Sequence, residues 1–123
     1  MESYYLMMDV GGNGIKVGIV DTSGTLEGEI QWFPAKAKES SETIFSNFAD
    51  IIAQMEKNLP RGKFFSGIGM AFPGPFDYER GISLMQGLDK YDAIYGMDIQ
   101  GEIVKRLLLY CKTSNHLASQ EKE

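Results

Sequence analysis

The chain has 123 residues, 43% of them hydrophobic, which is enough for one domain with a modest core. Its formal net charge of −5 argues against non-specific nucleic-acid binding, because a polyanion requires a basic surface. The single cysteine, Cys111, excludes an internal disulfide. Neither a signal peptide nor an apolar run of the ~20 residues needed to span a bilayer is visible, so we expect no membrane partner and a cytoplasmic location.

A Gly-rich tetrad between two short apolar runs is the most informative stretch. The runs at 4–8 and 15–20 predict two strands, and Gly11-Gly12-Asn13-Gly14 predicts the tight turn between them. We expect this turn to use positive φ angles, which Gly and Asn tolerate. It could direct several backbone N–H groups at a phosphate, and Asp9 could hold a hydrated Mg²⁺ beside that phosphate. A hairpin turn that binds nothing is the alternative, since the tetrad is neither a P-loop nor a dinucleotide fingerprint.

A third strand and a helix follow this hairpin. The alternation of apolar and polar residues over 26–32 predicts a half-buried strand, which would complete an antiparallel meander. The residues on its buried face would be Leu26, Gly28, Ile30 and Trp32. Ser40 or Ser41 can then cap a helix whose apolar stripe continues to Leu59, before Pro60 ends it. We interpret this stripe as core packing rather than as a ligand site.

The second half of the chain predicts a parallel strand, a turn and a second helix. Residues 64–72 are apolar on both faces, as is typical of a central strand reached by a helical crossover. The turn Pro73-Gly74-Pro75 allows close backbone approach to a ligand at its glycine, although a rigid turn without a ligand is the alternative. Residues 78–96 form a long irregular run, which is usually functional or mobile. Asp98 can cap the second helix, and we expect the polar tail at 112–123 to fray.

Three features in register resemble a known family. They are Asp9-Val10-Gly11-Gly12 with Lys16, then the run GIGMAFPGPFD at 67–77, then Gly81-Ile82. Together they resemble the amino-terminal half of the ROK family (repressor, open reading frame, kinase), whose members read D-x-G-G-T-x-x-K and then G-x-G-x-x-x-P-G-x-x-D. The resemblance covers residues 4 to about 87. It implies the ribonuclease H-like fold of actin-like ATPases and sugar kinases.

The resemblance also implies an architecture and a reaction. The architecture is an α/β lobe in which a three-stranded antiparallel hairpin set is extended by parallel strands, with helices on both faces. The reaction is ATP-dependent phosphorylation of a hexose or hexosamine, with Mg²⁺ held near Asp9. The implied nucleotide phosphate-binding residues are Asp9, Gly11, Gly12, Asn13, Gly14 and Lys16. The implied sugar-binding residues are Gly74, Pro75, Gln86 and Gly87.

The sequence departs from the family pattern at two motif positions and lacks two further features of the family. The family's Thr after Gly-Gly is Asn13 here, which can donate a hydrogen bond from its amide but with a different geometry. The family's catalytic Asp belongs to an Asn-Asp pair, for which the nearest candidate here is Asn115-His116. We expect His116 to be a solvated tail residue rather than a base, so no catalytic residue is assigned. The family's zinc-ligand cluster and adenosine-binding domain have no counterpart in the sequence.

These features favour one function and leave two alternatives. We expect residues 1–123 to form a single domain equivalent to the amino-terminal lobe of a ROK-type sugar kinase (glucokinase-like), inactive without a second lobe. The first alternative is a fragment of a ROK transcriptional regulator, whose DNA-binding helix-turn-helix would precede the first strand. The second is a non-catalytic module that associates with itself. An unsatisfied sheet edge at the second helix would favour a homodimer.

Overall fold

The computed structural model describes residues 3–108, and a four-stranded sheet of order β3-β2-β1-β4 lies at its centre. The first three strands pair antiparallel in sequence, whereas β4 pairs parallel to β1. The meander and the added parallel strand predicted from the sequence are therefore confirmed. The strands are β1 (Tyr4–Val10), β2 (Gly14–Asp21), β3 (Leu26–Pro34) and β4 (Phe65–Ala71).

Helix α1 (Ser41–Glu56) connects β3 to β4 and covers one face of the sheet. Its N-cap is Ser40, whose side-chain oxygen accepts a hydrogen bond from the Thr43 N–H at 3.2 Å. The apolar stripe that predicted the helix is buried, with Phe45 and Phe48 fully enclosed against the inward side chains of β1 and β2. Burial of this stripe supplies a large part of the core, and the inward side chains of β1 and β2 supply another.

The run after β4 is mostly irregular, as the sequence predicted for residues 78–96, and its regular elements are short. It contains a small two-stranded sheet, β5 (Phe76–Asp77) with β6 (Ile82–Ser83), and a 3-10 turn (Asp92–Ile94). Its apolar side chains are separated irregularly in sequence, which gives no periodic signal, yet three of them are fully buried. They are Met85, Tyr91 and Ile94.

The second helix, α2, occupies residues 99–108 and packs on α1. The predicted cap at Asp98 is confirmed, because its carboxylate accepts a hydrogen bond from the Gly101 N–H at 3.2 Å. The guanidinium of Arg106 forms ion pairs with Glu42 of α1 and with Glu102 of α2. These ion pairs hold the pKa of both carboxyl groups below the usual value. No helix in the described part of the chain is long and apolar enough to cross a membrane.

Strand β3 is solvent-exposed, so the prediction that it is half-buried is wrong. Ile30 and Trp32 are 62% and 60% exposed, and only Phe33 of this strand packs against the core. The reason is that α1 and α2 both lie on the same face of the sheet within residues 3–108, contrary to the expectation of helices on both faces. We call the other side the open face; its exposed side chains are Met7, Asp9, Lys16, Leu26, Ile30 and Trp32.

Strand β4 is the last strand of the sheet within residues 3–108, where it pairs only with β1. The expectation of a central strand is therefore not met in this part of the chain. Leu108 is the last described residue and belongs to α2. Cys111, the Asn115-His116 pair and the tail at 112–123 lie outside the described residues.

Candidate functional site

The Gly-rich turn leaves two backbone donors unused. The Gly11 N–H donates to the Gly14 carbonyl at 3.0 Å, and the Asn13 carbonyl accepts from the Ala35 N–H at 3.2 Å. The N–H groups of Gly12 and Asn13 donate to no other group of residues 3–108, and both residues are exposed. Free backbone N–H groups at the tip of a turn can donate hydrogen bonds to a phosphate oxygen.

The turn does not use the left-handed backbone, so the prediction of positive φ angles is wrong. None of its residues has a φ in that region. The last antiparallel pair is Val10 with Ile15, so the loop spans four residues, and loops of that length do not require the mirror-image turns of a two-residue hairpin.

Glycine is required in this turn for space. A Cβ at Gly11 would lie 2.9 Å from the Gly14 carbonyl oxygen, and a Cβ at Gly14 would overlap the indole of Trp32. The close packing of the turn on itself and on β3 therefore explains these two glycines.

Asp9 and Lys16 stand opposite each other on β1 and β2, on the open face beside the turn. Neither side chain forms an ion pair or hydrogen bond with another described residue. Mg²⁺ keeps several waters and is commonly bound by one carboxylate and phosphate oxygens, so Asp9 fits a metal that arrives with a nucleotide. No group of three or more His, Cys, Asp or Glu side chains forms a metal site within residues 3–108.

The second predicted turn leaves the sheet at the same end. Ala71, the last residue of β4, lies opposite Asp9 in the parallel pairing, and Pro73-Gly74-Pro75 follows one residue later. Gly74 is exposed, and a Cβ there would meet nothing within 4 Å. The side-chain oxygen of Tyr78 accepts from the Phe72 N–H at 3.0 Å and donates to the Phe72 carbonyl at 3.1 Å, which closes this loop.

The predicted sugar residues lie on two neighbouring segments. The Pro75 carbonyl accepts a hydrogen bond from the Leu84 N–H at 3.1 Å, which brings 84–87 beside the Gly74-Pro75 turn. Gln86 and Gly87 are both exposed, and Gly87 has a φ of 73°, which favours glycine. The four residues are thus accessible to a ligand.

Tyr91 stabilises the Gly-rich turn through a hydrogen bond, a role that the sequence did not indicate. Its side chain is fully buried, and its hydroxyl donates a hydrogen bond to the Gly11 carbonyl at 2.6 Å. Burial raises the pKa of Tyr91 to about 12, so the phenol keeps the proton that it donates. Its backbone N–H donates to the Ala37 carbonyl at 2.7 Å, which fixes the segment next to the turn.

Comparison with known proteins identifies the fold. No protein-family model and no curated protein matches the sequence. Among solved structures, a ROK hexokinase from Thermus thermophilus matches with a TM-score of 0.67 and 22% identity over 87% of this chain. An inorganic polyphosphate/ATP-glucomannokinase from Arthrobacter sp. strain KM matches with a TM-score of 0.67 and 27% identity over 85% of this chain. A ROK family glucokinase from Streptomyces griseus, in complex with glucose and AMPPNP, matches with a TM-score of 0.66 and 17% identity over 85% of this chain.

The similarity extends over most of this chain but only part of each neighbour. The chain spans 32%, 41% and 30% of the lengths of these three proteins, respectively. The mixed sheet and its strand order agree with the fold that the motifs at Asp9 and Gly74 predicted. The structural neighbours of this chain are ROK-family sugar kinases, and the chain has their actin-like, ribonuclease H-like fold.

Proposed function

We propose that this chain is the amino-terminal lobe of a cytoplasmic, ATP-dependent sugar kinase that phosphorylates a hexose or hexosamine. The observation that carries the proposal is the pair of unused N–H groups at Gly12 and Asn13, between Asp9 and Lys16. The structural neighbours support it, since one was solved with glucose and AMPPNP and another is described as a polyphosphate/ATP-glucomannokinase.

Each residue of the Gly-rich turn has a role in this proposal. The N–H groups of Gly12 and Asn13 would donate to phosphate oxygens, while Gly11 and Gly14 keep the turn compact. Lys16 would add a positive charge from the open face. Asp9 would hold the hydrated Mg²⁺, and the metal would supply neutralisation of the phosphate charge when it is bound.

The second pair of segments would bind the sugar. Gln86 carries both a donor and an acceptor in its amide, which suits a sugar hydroxyl. The exposed backbone at Gly74, Pro75 and Gly87 offers further polar groups without a bulky side chain in the way. The first of these segments follows β4, whose last residue pairs with Asp9, and the second is hydrogen-bonded to the first through Leu84 and Pro75, so the sugar would lie close to the bound phosphates.

We also propose that the chain has little kinase activity by itself. Phosphorylation of a sugar hydroxyl needs a group that accepts its proton, and the family's Asp corresponds most nearly to His116 here. Loss of a general base typically lowers a rate by ~10²–10⁴-fold.

Two measurements test these proposals. MgATP should shift the backbone amide signals of residues 9–16 in an NMR titration of the full chain, and glucose should shift those of 74–87. In a coupled ADP-release assay over hexoses and hexosamines, we expect turnover well below ~1 s⁻¹, the lower end for kinases. MgATP shifts that avoid residues 9–16 would remove the phosphate site from the proposal. Turnover of ~1 s⁻¹ or more would contradict the low activity.

We also propose that the chain forms a homodimer through the edge of β4. The outer edge of β4 pairs with no strand within residues 3–108, and an apolar groove lined by Ile68, Met70, Ile103 and Leu107 runs beside it. A sheet edge next to apolar side chains favours pairing with a second copy. Light scattering over a dilution series should give twice the chain mass of 13.7 kDa. A monomer mass at every concentration would contradict this expectation.

A further inference from the structure

The segment 89–91 lies beside the Gly-rich turn. Tyr91 is the anchor, with its hydroxyl bound to the Gly11 carbonyl and its backbone N–H bound to the Ala37 carbonyl. Asp89 adds a third attachment through an ion pair with Lys38 at 2.9 Å. The Tyr91 hydrogen bonds thus place the backbone of Lys90 beside the turn.

Lys90 lies directly beside the unused donors of the turn. Its Cδ atom is 3.2 Å from the position that a Cβ at Gly12 would take, and the side chain is half-buried. The ammonium group is one bond beyond the next carbon, so it can reach a group bound at the turn. It forms no ion pair with a carboxylate of residues 3–108, and the adjacent carboxylate of Asp89 is already paired with Lys38.

A half-buried cation without a partner, beside two free N–H groups, favours an anion at that place. Hydrogen bonds between an ammonium group and a phosphate oxygen are shorter and stronger than neutral ones. We propose that Lys90 binds the polyphosphate group of the phosphoryl donor, a nucleoside triphosphate or a linear inorganic polyphosphate, together with the N–H groups of Gly12 and Asn13. This inference rests on the proposed function and adds a residue from outside the Gly-rich motif.

Binding measurements on the full chain test this role. Lys90→Gln removes the charge and keeps a similar length, so Kd values for MgATP and for magnesium tripolyphosphate should both rise about 10-fold, the loss of one charge-assisted contact. Lys90→Arg should recover part of the affinity. Adenosine carries no phosphate, and any binding of it should not change. Calorimetry gives the Kd values, and the amide spectrum of each variant verifies that it is folded.

Lys57→Gln is the matched control, because Lys57 is an exposed lysine after α1 and its loss changes the net charge equally. Its Kd for MgATP should stay within about twofold of the unmodified chain. Equal weakening by the two variants would assign the effect to net charge and overturn the role of Lys90. Unchanged affinity in Lys90→Gln, with MgATP shifts still at 9–16, would overturn the role of Lys90 and leave the proposed function standing. If the unmodified chain binds neither MgATP nor tripolyphosphate, both the role of Lys90 and the proposed function are overturned.

Discussion

Phe48→Ala is expected to lower the free energy of unfolding by about 3–5 kcal/mol, the usual cost of removing a buried aromatic ring. The ring is fully buried, and its centroid lies 6.4 Å from Phe45, 5.9 Å from Phe72 and 6.4 Å from Tyr91. It therefore joins α1 to both segments that support the candidate site. Urea denaturation followed by circular dichroism measures the loss.

Phe64→Ala provides the matched control for this change. Phe64 precedes β4 and is 71% exposed, so its loss should change the free energy of unfolding by no more than about 0.5 kcal/mol. Similar costs for the two variants would show that the aromatic contacts of Phe48 do not hold the segments together. A domain of ordinary stability has about 5–15 kcal/mol in total, so the larger loss would be visible as a marked shift of the midpoint.

Gly12→Val is expected to weaken MgATP binding by more than about 100-fold. The branched side chain would stand beside the N–H groups of Gly12 and Asn13 and block a phosphate from both. Two hydrogen bonds to a charged group contribute about 1.5–3 kcal/mol each. The fold should survive, because Gly12 is exposed and its φ lies outside the left-handed region. A Cβ at Gly12 would lie 3.2 Å from Cδ of Lys90, and that flexible side chain can move aside. Calorimetric titration gives the affinity, and the amide spectrum verifies the fold.

Asn13→Ala separates the backbone from the side chain in the same turn. It keeps the backbone N–H and removes only the amide side chain, which forms no hydrogen bond within residues 3–108. Its MgATP affinity should therefore fall far less than that of Gly12→Val. If Gly12→Val binds MgATP as the unmodified chain does, the free N–H groups are not the phosphate site.

The helix caps and helix faces could be predicted because the residues that determine them lie within a few positions of one another in sequence. The helix cap at Ser40 and the apolar spacing that follows it are local signals, and the structure confirms the cap and the apolar face. The helix ends at Glu56, so Leu59, the last residue of the predicted stripe, lies beyond it. The cap at Asp98 was predicted on the same basis. A parallel strand at β4 was predicted from the helical crossover and from the family resemblance, and the structure pairs it with β1.

The open face could not be predicted from alternation. The pattern over 26–32 correctly places Ile30 and Trp32 on one side of β3, but it carries no information about what covers that side. Apolar residues at a period of two look the same whether a helix lies over them or not. Within residues 3–108 nothing covers them, and they remain more than half exposed.

The candidate site was predicted in part. Asp9, Lys16 and the turn between them were placed by motif, and the structure brings them to one end of the sheet together with Gly74. The φ angles were wrong, because the loop length was not apparent from the glycines. Lys90 and Tyr91 were missed, since neither belongs to the motif and Tyr91 meets its partner Gly11 80 residues away in sequence.

That separation has a consequence for how the protein is made. A ribosome adds ~5–20 residues per second, so about 4–16 s pass between the synthesis of Gly11 and that of Tyr91. The hairpin of β1 and β2 can pair early, because its contacts are local. Its turn receives the Tyr91 hydrogen bond only after 80 further residues have been translated. A nascent chain therefore carries the whole phosphate motif well before the structure that supports it exists.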